Sequence, residues 1–148
     1  MTDARSEGTI LQGGRRKAYR PMAEADRRAA LERFLEAYAR GEYFEAHEIL
    51  EPAWMGAEDV PERELLQGLI KVAAAYVHDV RGNSAGITRN LEGARALLLE
   101  AATDGPAVNV ARLDIDDLLA AIDLRLADLA AHPDEPTLGP PILRRSTS

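Results

Sequence analysis

Between residues 21 and 131 the apolar positions recur three and four apart, and no stretch alternates as a strand would, so the pattern predicts about five helices. Pro21 stands just ahead of the first, where Leu31, Phe34, Leu35 and Tyr38 share a stripe and Gly41 supplies the stop. The second is the run from Gly41 to Trp54. Pro61 opens a third near its first turn, and Leu65, Leu66, Leu69, Ile70, Val72, Ala73, Tyr76, Val77 and Val80 cover more than half its circumference, the mark of a central helix ending at Gly82. Asn83 or Ser84 caps a fourth, with Ile87, Leu91, Ala94, Leu98 and Ala101 inward and Gly105 at its close. A short turn makes it the antiparallel neighbour of the third. Asp114 caps a fifth, striped by Ile115, Leu118, Leu119, Ile122, Leu126 and Leu129. The fold class that follows is all-α, a single-domain bundle with disordered N- and C-terminal tails.

Those tails are residues 1–20, polar and Gly-rich without period, and residues 132–148, with Pro133, Pro136, Pro140 and Pro141; the bundle proper is 21–131. Gly68, Gly86 and Gly93 fall inside helical patterns, where each costs up to about 1 kcal/mol relative to alanine, so close helix–helix approach is the expected compensation. The length, 148 residues, suits one domain with a sizeable core. No repeat and no strand followed by a Gly-rich turn is present, which removes solenoid and dinucleotide-binding folds.

Charge and composition narrow the function classes. The net charge of −7 is uneven: residues 1–20 carry a net positive charge, and the body carries −10. An acidic body disfavours nucleic acid as a partner, leaving only a weak contact through Arg15, Arg16, Lys17 and Arg20. Cysteine is absent, so no disulfide, thiolate metal site or cysteine nucleophile is available, and any metal must use His, Asp and Glu. No window reaches the roughly 20 apolar residues of a membrane span, and the N-terminus has no signal-peptide run. A soluble, cytoplasmic protein with no membrane partner is the expectation.

The chemistry concentrates in the second helix. At about 100° per residue, Tyr43, His47, Leu50, Glu51 and Trp54 fall on one stripe, flanked by Ala46, Phe44 and Met55, which predicts a buried His–Glu pair. His47 and Glu51 have the spacing at which metalloproteases place two metal-binding histidines, with a glutamate in the second position. Glu48 lies at the margin of this face. A divalent metal held by His47 and Glu51 needs a third ligand from elsewhere, for which His78 or Asp79 is the candidate. Gln67 and His78, eleven residues apart, are nearly eclipsed on an ideal helix and line one groove if another helix covers them, although a solvated face also explains that polar stripe. Pro52 removes the hydrogen bond to the Glu48 carbonyl and predicts a kink or an early helix end.

Several readings stay open. One is a ligand-binding site formed by Tyr43, His47, Glu48, Glu51, Trp54 and Gln67, with a small-molecule ligand and an open cavity at His47. Another is a structural or homo-oligomerisation module in which the His–Glu pair only fixes helix packing, and Ile49 with the apolar arc of the third helix feeds a homodimer contact. A weaker alternative is a metal-dependent, hydrolase-like enzyme; no catalytic residue is assigned, and nucleic-acid binding through the basic N-terminal tail is the weakest reading.

The string Gly41-x-Tyr43-Phe44-x-Ala46-His47-Glu48-x-Leu50-Glu51-x-x-Trp54, then Arg63-x-x-x-Gln67-Gly68-Leu69-Ile70, Ala73-Ala74, Tyr76 and Arg81-Gly82-Asn83-x-x-Gly86, resembles the family catalogued as domain of unknown function 309. The likeness spans residues 31–100 or so. It implies a small helical bundle of bacterial or archaeal type and transfers no activity and no cofactor. Pro52 departs from that family's pattern.

Overall fold

In the structure, a computed structural model that describes residues 9–12, 15–18, 21–78, 82–104 and 112–146, the expected helices are present. Helix α1 (Glu24–Ala39) buries Ala30, Leu31, Phe34, Ala37 and Tyr38, the face its spacing predicts. It ends where Gly41 takes φ +80°, a left-handed conformation that a side chain would strain. Helix α2 (Tyr43–Met55) runs through Pro52, and the Gly56 amide donates to the Pro52 carbonyl at 2.9 Å. The proline therefore does not end the helix: its ring is exposed on the outer side, and only the last turn follows it.

Helix α3 (Val60–Ala75) starts as its sequence predicts, with Pro61 in the first turn; its N-cap is Asp59, whose carboxylate accepts from the Glu62 amide at 3.2 Å. It stops earlier than predicted. The Tyr76 amide bonds to the Ala73 carbonyl, a tightened final turn, and the ring joins an aromatic cluster. The packing of one large ring thus overrides a helical pattern that continues to Val80.

Helix α4 (Ser84–Asp104) lies antiparallel to α3, as the neighbour pairs Gly68 with Leu98 and Lys71 with Gly93 require. A Cβ at Gly68 would stand 2.9 Å from Leu98, so close approach accounts for that glycine, whereas Gly86 faces its own Asn83. Helix α5 (Ile115–Ala131) is capped by Asp114, whose carboxylate accepts from the Asp117 amide at 2.9 Å.

The core draws on all five helices, and α3 supplies its largest share, Leu65, Leu66, Leu69, Ile70, Val72, Ala73 and Ala75 among them. Those residues of the arc pack within the core of the chain. Ile49, expected on the outer face of α2, is partly buried against the same core. Ahead of the bundle, strands β1 (Thr9–Gln12) and β2 (Arg15–Ala18) pair antiparallel, Thr9 opposite Ala18. The remainder of the expected N-terminal tail lies outside the described residues. Residues 132–146 form no helix or strand of their own, in keeping with their prolines, and run back along α5 and α1. Among the described residues no helix is long and apolar enough to cross a membrane.

Candidate functional site

Helix α2 turns Ala46, Leu50, Ala53 and Trp54 into the core, with Trp54 only 3% exposed. His47 and Glu51 lie beside that buried stripe, not at its centre. Their side chains keep 27% and 24% exposure, so the expected buried pair is a half-buried one at the rim. The physical reason is angular. The core-facing direction bisects Ala46 and Leu50, which leaves His47 and Glu51 progressively further round the helix. His47 Nε2 stands 3.7 Å from Glu51 Oε2, beyond a hydrogen bond.

Two polar atoms on this face lack a partner within the protein. His47 Nδ1 and Trp54 Nε1 are both buried and make no hydrogen bond. They lie seven residues apart, nearly in line along α2. Buried polar atoms are normally satisfied, so two orphans on one face single it out as the candidate site. Phe44, 58% exposed, stacks on the His47 ring with centroids 6.3 Å apart. On the other flank opens a groove of about 470 Å³, lined by Glu51, Pro52 and Met55 of α2 and by Pro21, Met22, Ala23 and Asp26 at the start of α1.

The other sequence candidates go elsewhere. Tyr43 packs edge-on against Tyr38 at 5.1 Å and against Tyr76 at 6.2 Å, within an aromatic cluster between α1, α2 and the end of α3. Glu48 is exposed, and Gln67 is half-buried on α3. His78 is exposed and lies past the end of α3, so the eclipsing of Gln67 and His78 on one helix does not occur. Asp79 and Arg81 lie outside the described residues. Among the described residues no three His, Asp or Glu side chains converge as a metal-binding group, so His78 does not complete a chelate with His47 and Glu51.

Sequence reasoning missed two charged features nearby. Arg27 of α1 forms a bidentate ion pair with Glu62 of α3, its Nη2 at 3.3 Å from Oε1, while its Nη1 donates to the Met22 carbonyl. The pair joins residues 35 apart, and no local pattern announces it. Glu64 of α3 faces Glu100 and Asp104 of α4; its burial and these two carboxyl neighbours push its pKa up to about 8. Antiparallel pairing of α3 with α4 was the available signal for that contact.

Residues 31–90 match the profile of the family described as Domain of unknown function (DUF309), and the chain resembles that family over those residues. The matched span holds all of α2 and α3. No curated protein and no solved structure gives a significant match to the chain.

Proposed function

We propose that this protein binds a small molecule on the face of α2 that carries His47, Glu51 and Trp54. The observation that carries the reading is the pair of orphaned buried atoms, His47 Nδ1 and Trp54 Nε1. The indole can only donate, so the ligand presents an acceptor to Trp54, and its other polar group pairs with the His47 ring. Glu51 contributes negative charge from the wall of the adjoining groove, and Phe44 covers the outer side of the imidazole. Gln67, across on α3, is the remaining polar candidate. The structural reading of the pair is weaker, because a contact of 3.7 Å locks no register.

Trp54 is the sole tryptophan, which gives a clean reporter. A fragment screen using carboxylates and primary amides, read by the Trp54 indole N–H and the His47 ring signals in NMR, is expected to find compounds that shift both signals together. His47→Ala is expected to abolish those shifts while melting within about 2 °C of the parent, since a binding residue contributes little to stability. A screen in which no fragment moves both signals, or a His47→Ala chain that melts far lower, overturns the proposal.

A second reading, self-association as a cytoplasmic homodimer, draws on Phe44, a large exposed apolar ring beside the same site. Light scattering of the parent and of Phe44→Ser tests it: a dimer mass that falls to the monomer supports it, and a monomer in both rejects it.

A further inference from the structure

The segment after α5, residues 137–145, is held against α5 and α1 by side chains of those helices. Its backbone is read by side chains. The Asp128 carboxylate of α5 accepts from the amides of Thr137 and Leu138, each at 2.9 Å, and the Thr137 hydroxyl also donates to it at 2.6 Å. One helical turn earlier, Arg125 Nε donates to the Gly139 carbonyl at 2.9 Å. Across the gap to α1, the Tyr38 hydroxyl donates to the Pro141 carbonyl at 2.6 Å. Burial pushes the Tyr38 phenol far above its ordinary value, so it remains a donor throughout the physiological range.

The apolar contacts have the same character. Leu35 and Tyr38 of α1 and Tyr43 of α2 form one wall of a groove, and Pro140, Pro141, Ile142 and Leu143 form the other. Tyrosine-lined grooves suit proline-rich peptides because a proline pair is already extended, loses little entropy on docking and has no N–H that needs an acceptor. The resident segment does not fill its groove: about 280 Å³ remains between the two walls, and Ile142 is 62% exposed. Beyond it, Arg145 forms an ion pair with Glu32 of α1 and a bridge with Leu113.

We propose that the surface formed by Leu35, Tyr38, Tyr43, Arg125 and Asp128 is a docking groove for an extended peptide carrying a Gly-Pro-Pro-aliphatic sequence, and that residues 137–143 occupy it in cis. The seated segment defines the chemistry of the partner: backbone groups for Asp128, Arg125 and Tyr38, and a proline pair for the tyrosine wall. A tethered occupant competes at an effective concentration in the millimolar range, so a peptide in trans binds the resting chain weakly and a chain with a loosened segment strongly. This groove is separate from the His47 face, and either proposal can fail alone.

The test is fluorescence anisotropy with a labelled nonapeptide of the chain's own residues 137–145, Thr-Leu-Gly-Pro-Pro-Ile-Leu-Arg-Arg. Pro140→Gly combined with Pro141→Gly loosens the cis segment and leaves Leu35, Tyr38, Tyr43, Arg125 and Asp128, the surface that would receive the peptide, unchanged. Arg145→Ala, which removes the ion pair to Glu32, loosens it independently should the first variant fold poorly. The peptide is expected to bind the loosened chains at least about tenfold more tightly than the parent. Adding Tyr38→Phe is expected to weaken binding about tenfold, because the ring stays and only the donor to the proline carbonyl is lost. Equal affinity for parent and loosened chains, no saturation up to about 1 mM, or equal uptake of a scrambled peptide overturns the proposal. So does a loosened chain that dimerises and takes up no peptide, since a second copy would then be the occupant.

Discussion

Glu64 shows how a single carboxyl group can make stability depend on pH. Its pKa is pushed up to about 8, by burial first and by Glu100 and Asp104 next. In the unfolded chain it ionises in the ordinary carboxylate range, so between that range and about pH 8 the folded state holds more protons. Stability from this group therefore falls as pH rises across that window. Glu64→Gln keeps the shape and removes the titration, and is expected to raise the melting temperature at pH 8 relative to the parent and to narrow the difference at pH 5. Calorimetry at both values checks it, and an equal shift at both would remove Glu64 as the cause. The pairing of His47 with Glu51 was legible in the sequence because i, i+4 neighbours share a helix face. Its half-exposed position was not, because that depends on where α1 and α3 sit against α2, which no local periodicity encodes.

Helix against helix, the tightest fit is α3 on α4. Gly68 brings the two backbones together at Leu98, and an added Cβ would lie 2.9 Å from both Leu98 Cγ and Cδ2. Gly68→Ala gains helix propensity of about 1 kcal/mol and loses more to overpacking, for a net loss of about 1–2 kcal/mol. Urea denaturation is expected to show a lower midpoint with an unchanged slope; a higher midpoint would mean that the backbones can separate at no cost. Helix starts were readable here because their signals are local: Asp114, the expected cap, bonds the amide three residues on, and Asp59 just ahead of Pro61 does the same. Helix ends were less so. α3 stops at Ala75 because Tyr76 turns toward Tyr43, a contact made across 33 residues of chain, and the apolar run through Val77 and Val80 gave the opposite signal.

At the scale of the whole molecule, one ion pair ties together the entry points of two helices. Arg27 near the start of α1 meets Glu62 in the first turn of α3, and Glu62 is only 7% exposed. The same guanidinium holds the Met22 carbonyl, while the Met22 amide donates to the Gly56 carbonyl at the end of α2, so three helix termini meet at this point. Removing one partner leaves a carboxylate largely cut off from water, which is costlier than the intact pair is favourable. Arg27→Met is therefore expected to destabilise the protein by about 3 kcal/mol, with the lower figure of the usual range applying because the guanidinium keeps some solvent contact. Arg27→Met with Glu62→Leu removes both charges and is expected to recover most of that loss, since two apolar side chains of similar volume need no compensation. Chemical denaturation of the four members of this cycle gives the coupling directly. A double variant no more stable than Arg27→Met would mean that the pair holds the helix termini by its directed hydrogen bonds, and that charge burial is the smaller part of its cost.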